Sequence, residues 1–211
     1  VGDIEDVFAS DWEFATGQAV PRAAAAAAPV ALGDSAVQVV ASGPDVPEDA
    51  LHDAMLTGMM DARERIWIVT PYFVPDEPIL KVLALQARAG RNISVVLPAR
   101  SNHRIPDLAR GPAVRQLLRA GAKIYAYPRM VHAKVVLFDD TLAITGSPNL
   151  DMRSMYLNFE IALLHYWRPE IAHIAAWVSE LAAASEPVMD APAGRVREWA
   201  EGLAVLAAPL L

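Results

Sequence analysis

Seven short apolar runs divide the chain, and the spacing between them decides what it can fold into. They are VQVVAS (37–42), IWIVTPYF (66–73), NISVVLP (92–98), KIYAYP (123–128), HAKVVLFD (132–139), TLAITG (141–146) and NFEIALLHY (158–166). Each has the length and the β-branched or aromatic content of a strand. Stretches of helical period separate the first four. Residues 47–63 place Leu51, Met55, Met59 and Met60 on one side, as core filler rather than a lipid-binding stripe. Residues 77–89 are capped by Asp76 and stop at Gly90, and a helix around 105–120 stops at Gly121. The runs at 132–139 and 141–146 are joined tightly at Asp140, and helices follow at about 169–184 and 193–207. This alternation predicts an α/β fold, a mixed β-sheet flanked by helices on both faces.

Ahead of the first strand, residues 3–15 read as a short amphipathic helix with Val7, Phe8, Trp12 and Phe14 as apolar members and Gly17 as its stop. Residues 18–35 are rich in Ala, Pro and Gly. Pro21 and Pro29 bracket the Ala23–Ala28 run too closely for a helix, so this stretch reads as a linker. The expected organisation is a leading helix (1–17), a linker (18–35), a lobe (36–185) and a C-terminal helical tail (186–211). No short internal repeat is visible.

Composition removes several classes. With 54% apolar and 20% charged residues, most of the chain is not disordered. The lack of cysteine excludes disulfide scaffolds, thiol nucleophiles and cysteine-ligated metals. No apolar run reaches the ~18–20 residues of a membrane span. The chain starts at Val1 without a signal segment, so it is expected to be a processed product or a piece of a longer protein. It holds neither a glycine-rich phosphate loop nor a zinc-spaced cluster, and no metal or cofactor is expected.

Charge is unevenly distributed. Residues 1–80 carry 14 acidic and 3 basic side chains, residues 81–134 carry 11 basic and one acidic (Asp107), and residues 135–211 carry 10 acidic and 4 basic. Taken singly, each arginine reads as part of a solvated helix face. The block as a whole suits an anionic ligand: a phosphate, a nucleic acid or an acidic lipid head group.

The stretch HAKVVLFDDTLAITGSPNLDMRSMYLNFE (132–160) carries the chemistry. His132 and Lys134, two apart on an expected strand, face the same way. Ser147 and Pro148 suit the cap and first turn of a helix, whose N–H groups would face an anion. Asn149 and Ser147 add neutral donors. Glu160 is expected to hydrogen-bond the far nitrogen of His132 and fix its tautomer. Together these describe a phosphate pocket. Lys134 and Asn149 would hold non-bridging oxygens, and His132 would serve as nucleophile or proton donor.

The pattern His-x-Lys-x4-Asp-x6-Gly-Ser-x-Asn, present as His132, Lys134, Asp139, Gly146, Ser147 and Asn149, resembles the signature of the phospholipase D superfamily at every fixed position. Glu160 falls where that family keeps the acidic partner of its histidine. The stretches DWEFATG (11–17), TPYFVPDEPIL (70–80) and GSPNLDMRSMYLNFEI (146–161) are most similar to bacterial cardiolipin synthases. The resemblance implies catalytic roles for His132, Lys134, Asp139 and Glu160, with Asp139 positioning rather than exchanging protons, and substrate binding by Gly146, Ser147 and Asn149. It implies a site between two lobes with one motif each, a phosphohistidine intermediate, phosphatidylglycerol as substrate and no cofactor. This chain has one motif, so its partner would be a first lobe of the same parent chain or a second copy of itself.

The same resemblance places the parent at the cytoplasmic face of a bacterial inner membrane, this piece being soluble. The alternatives are a phospholipase or nuclease using the same pocket, with nucleic acid disfavoured by the acidic balance, and a non-catalytic binding lobe. Tyr72 and Phe73 line the pocket or belong to the core. Arg153 pairs with phosphate or with Asp151. His52, His103, His165 and His173 match no motif and read as ordinary histidines.

Overall fold

The computed structural model describes residues 2–20, 35–44, 46 and 49–207. Strand β2 (Arg65–Val69) is apolar on both faces, which suits only the middle of a sheet covered on both sides. Ile66 and Ile68 enter one core, and Trp67 and Val69 the other. The sheet has eight strands in the order β1 (Val37–Ser42), β9 (Glu160–His165), β7 (Leu142–Gly146), β6 (Val135–Phe138), β2, β4 (Asn92–Pro98), β5 (Lys123–Tyr127) and β10 (Glu186–Pro187). β2, β4 and β5 run parallel, and the other neighbours pair antiparallel. Parallel pairs need crossovers, and α3 (Glu77–Arg88) and α4 (Arg104–Ala120) supply them.

Helices α2 (Ala50–Asp61), α3 and α4 cover one face through Leu51, Met55, Met59, Ile79, Leu83 and Leu117. Helix α6 (Arg168–Ala183) covers the other through Ile171, Ala175 and Val178. The mixed sheet between two helical layers is the expected class. Met60 departs from expectation: it faces solvent, while Met55 and Met59 fill the core. Helix α1 (Gly2–Thr16) buries none of its residues, though the Phe14 ring lies 5.7 Å from that of Phe159. Helix α7 (Arg195–Ala207) lies against α4, held by the buried Glu201.

Several boundaries differ from the sequence reading. The run 66–73 is not one strand. β2 ends at Val69, and Pro71 cannot donate to a ladder. Phe73–Val74 form β3, which pairs in parallel with β8 (Leu150–Asp151) as a separate two-stranded sheet. The run at 132–139 yields a strand only over 135–138. A short helix, α5 (Met152–Tyr156), carried no sequence signal strong enough to be read. Most of the Ala/Pro linker, residues 21–34, lies outside the described residues.

Candidate active site

Register brings distant segments to one edge of the sheet. Val69 pairs with Val135, Val135 with Thr145, and Gly146 with Ala162. The residues after β2, before β6, after β7 and at the start of β9 therefore share an edge. The loop after β4 joins them, because β4 runs parallel to β2.

His132 and Lys134 lie just ahead of β6 rather than within it, and they meet because the lysine folds back. Lys134 Nζ lies 3.0 Å from Nδ1 and 3.3 Å from Nε2 of His132, and it donates to the His132 carbonyl at 3.0 Å. An ammonium this close favours the uncharged imidazole. Burial first, and the Lys134 charge second, hold the His132 pKa below its ordinary value. The ring thus carries a lone pair at neutral pH. Burial also lowers the pKa of Lys134, while the charges of Glu160 and Asp151 oppose that shift. The Tyr72 ring stands edge-on to His132, with centroids 6.4 Å apart.

Glu160 does not bond to His132 as expected. Its Oε2 accepts from the Ser147 hydroxyl, and its Oε1 accepts from Asn158 Nδ2 at 3.1 Å. The β7–β9 register explains this. Ser147 N–H donates to the Ile161 carbonyl at 3.0 Å, and Ile161 N–H donates back to Ser147 Oγ at 3.0 Å, which sets the hydroxyl beside the carboxylate. Ser147 is therefore no helix cap. The next helix, α5, starts at Met152, and Asp151 caps it by accepting from Ser154 N–H at 2.8 Å. The expected helical anion seat at 147–149 does not form.

Gly146 is required by space. A Cβ there would sit 2.2 Å from the Ile161 carbonyl oxygen, so only glycine lets β7 and β9 approach. Asn149 donates weakly to Ser154 Oγ at 3.4 Å, and its Oδ1 is buried without a hydrogen-bond partner. Asp139 lies at the opposite end of β6, roughly 15 Å from Lys134 by strand rise. Its carboxylate accepts from three backbone N–H groups, those of Arg63 (2.8 Å), Glu64 (2.9 Å) and Arg65 (2.8 Å). Burial alone would raise its pKa, but these bonds and the Arg65 charge outweigh that and leave it below the usual range. It ties β6 to the start of β2 and touches nothing in the pocket.

A cavity of about 600 Å³ opens beside His132, lined by Tyr72, Asn102, His103, Arg104, Asn149 and Asp151 among others. Of these, Asn102, His103 and Arg104 were not read from the sequence. Tyr72 OH donates to Asn102 Oδ1 at 2.6 Å, and the His103 ring lies 5.8 Å from that of Tyr72. Their one signal was position: they follow a parallel strand, where open α/β sheets gather ligands. Asp151 is pushed up in pKa mainly by burial. His52 is also more than a bystander. Its Nε2 lies 2.7 Å from Asp76 Oδ2 and 3.0 Å from the Tyr156 hydroxyl, and that hydroxyl donates to Asp76 at 2.6 Å. Among the described residues no cluster of His, Asp and Glu could hold a metal ion.

The fold and the motif edge define a class. The chain superposes on the phospholipase D family member Nuc from Salmonella typhimurium with a TM-score of 0.61 at 19% identity, covering 74% of this chain and 99% of that one. It superposes on phosphatidylserine synthase from Haemophilus influenzae with a TM-score of 0.67 at 15% identity, covering 98% of this chain and 53% of that one. Sequence narrows the class. Residues 55–182 match the family model described as "Cardiolipin synthase, PLD-like domain", and the chain belongs to that family. Cardiolipin synthase 1 of Bacillus cereus is 37% identical over 172 residues, which is 77% of this chain and 34% of the relative. Cardiolipin synthase A of Yersinia pseudotuberculosis is 39% identical over 163 residues, 75% of this chain and 33% of the relative. The chain thus spans about a third of the length of these relatives.

Proposed function

We propose that this chain is part of a phosphatidyl-transferring enzyme of the cardiolipin synthase type and supplies one half of its active site. The observation that carries this reading is the Lys134 ammonium folded to 3.0 Å from the His132 ring, which stands against Tyr72 of the cavity wall. In the reaction, a histidine nitrogen attacks the phosphorus of phosphatidylglycerol. A P–N bond forms, the P–O bond to glycerol breaks, and glycerol leaves with a proton from the second histidine. The hydroxyl of another phosphatidylglycerol then attacks phosphorus. The P–N bond breaks, and the second histidine takes the hydroxyl proton. Lys134 and Asn149 hold the non-bridging oxygens as charge builds.

His132 fills one of the two histidine roles. In the resting site its low pKa suits attack or proton acceptance, and an arriving phosphate, by offsetting the Lys134 charge, suits it to donate. The second histidine comes from a preceding lobe, whose last helix would be α1, or from a second copy of this chain. The lobe of residues 36–185 carries the motif, with 18–35 linking it to what precedes. The parent acts at the bacterial inner membrane. Among the described residues no helix is long and apolar enough to cross a membrane, so the span would lie elsewhere in the parent.

Lipid product analysis by mass spectrometry tests this. Phosphatidylglycerol vesicles with the complete parent protein should yield cardiolipin, and the His132→Ala parent should yield none. Full activity in that variant would sink the reading. Phosphatidic acid without cardiolipin would favour a hydrolase.

A further inference from the structure

Helix α7 is gripped on one side and bare on the other. Glu201 is 1% exposed and accepts from Arg115 Nη1 (3.0 Å), Arg115 Nη2 (2.5 Å) and Arg197 Nε (2.8 Å). Gly111 makes room for it, since a Cβ there would lie 2.3 Å from Glu201 Oε1. Three residues on, Ala204 joins a small core with Ala109 and Val74. Positions rising along α7 thus meet positions falling along α4, so the two helices run antiparallel. The end of α7 points toward the first turn of α4, where Arg104, Ile105 and Pro106 line the cavity beside His132.

The other side of α7 shows Val196 (86% exposed), Trp199 (75%), Leu203 (64%) and Leu206 (78%). Steps of three, four and three put them in one line. Ile105 and Leu108 of α4 are exposed as well, which carries apolar surface to the rim of the cavity. Around it the charge is positive. α4 and α7 together hold six arginines and three carboxylates, in a chain of net charge −7. Arg115 and Arg197 pair with Glu201, Arg110 with Asp107, and Arg119 with Asp190 beyond the two helices, which leaves Arg104 and Arg195 to carry the excess.

We propose that the exposed stripe of α7 and the first turns of α4 form a docking face for an anionic lipid surface. It would seat the helix in the head-group layer with the cavity mouth against the membrane. This rests on the phospholipid reading above. Two features favour lipid over a second copy of the chain. The end of α7 points to the turn of α4 that lines the cavity, and the arginines of the two helices would oppose one another across a self-paired interface while anionic head groups would neutralise them. Trp199 and the leucines supply apolar depth, and the arginines supply the preference for acidic lipid.

The test is co-sedimentation of this chain with phosphatidylglycerol or phosphatidylcholine vesicles. Binding should favour phosphatidylglycerol and weaken with salt. Trp199→Glu with Leu203→Glu, both at exposed positions, should weaken it by about tenfold or more with an unchanged circular dichroism spectrum. Arg195→Glu should weaken only the binding to anionic vesicles. Absent binding, or binding indifferent to the double change, overturns the proposal. So does a double variant that loses self-association yet keeps vesicle binding. In the parent, the double variant should lose turnover on vesicles and keep it on detergent-dispersed phosphatidylglycerol. Vesicle binding through this face with no cardiolipin formed by the unaltered parent would refute the functional reading alone.

Discussion

Replacing Asp139 tests whether the last motif position serves folding rather than chemistry. Its carboxylate holds three backbone N–H groups at the start of β2, and its backbone sits at φ 52°, a left-handed conformation that Asp and Asn tolerate better than most residues. Charge-assisted bonds of this kind are worth about 1.5–3 kcal/mol each when buried. Arg63 and Glu64 are exposed, so water takes over much of that, and about 0.5–1 kcal/mol per bond remains. Asp139→Ala, which also loses the side chain suited to φ 52°, should cost about 3 kcal/mol. Asp139→Asn keeps that conformation and one acceptor and should cost about 1–2 kcal/mol. Urea unfolding from pH 7 to pH 3 reads both.

The pH dependence gives the sharper criterion. The folded-state pKa of Asp139 is depressed. Its contribution is therefore complete above the unfolded carboxyl pKa of ~3.9 and is lost as pH falls from there through the folded value. The gap between the native protein and Asp139→Asn should be constant from pH 7 to about pH 5 and close below about pH 4. A gap that stays the same down to pH 3, or no gap at all, would refute the argument. So would a parent enzyme carrying Asp139→Asn that folds but has lost turnover, because a group roughly 15 Å from Lys134 by strand rise cannot take part in the chemistry.

Other perturbations follow from the same geometry. Lys134→Met should raise the His132 pKa toward the ordinary ~6.5, which an NMR titration of the imidazole would detect; an unchanged value would mean burial alone sets it. Gly146→Ala forces a Cβ onto the Ile161 carbonyl and should cost roughly 2–4 kcal/mol in urea unfolding, with a near-native midpoint contradicting the close approach. Arg115→Ala strips the buried Glu201 of its bidentate partner. It should cost about 3 kcal/mol and expose α7 to limited proteolysis, and full resistance would contradict the anchoring role.

The regular parts of this molecule were legible because both faces of the sheet are buried. Runs such as IWIV and VVLP are apolar throughout, and the helices around them carry clear caps at Asp76 and Gly121. The motif residues were legible as a set, and His132, Lys134, Ser147 and Asn149 do gather at one edge. Bonding between them was not. Whether Glu160 reaches His132 or Ser147 depends on the β7–β9 register, which no local pattern encodes. Asp139 shares the motif but stands at the far end of a four-residue strand, because a spacing in sequence says nothing about which end of the strand faces the ligand. His103 and Asn102 sit in an irregular loop with no periodicity to flag them. His52 found its partners, Asp76 and Tyr156, only through tertiary packing.

The two-rung ladder between β3 and β8 has a consequence for how the cavity comes into being. Phe73 pairs with Leu150 and Val74 with Asp151, yet four strands of the main sheet lie between them along the chain. Those two rungs set Tyr72 on one wall beside Asn149 on the other. Loop closure over so long a stretch is repaid once β4 to β7 have ordered, so the cavity is expected to form late in folding. A nascent or partly unfolded chain can own every motif residue and still have no place to hold a phosphate. The cavity wall at Tyr72 and Asn149 thus exists only when the whole sheet stands behind it.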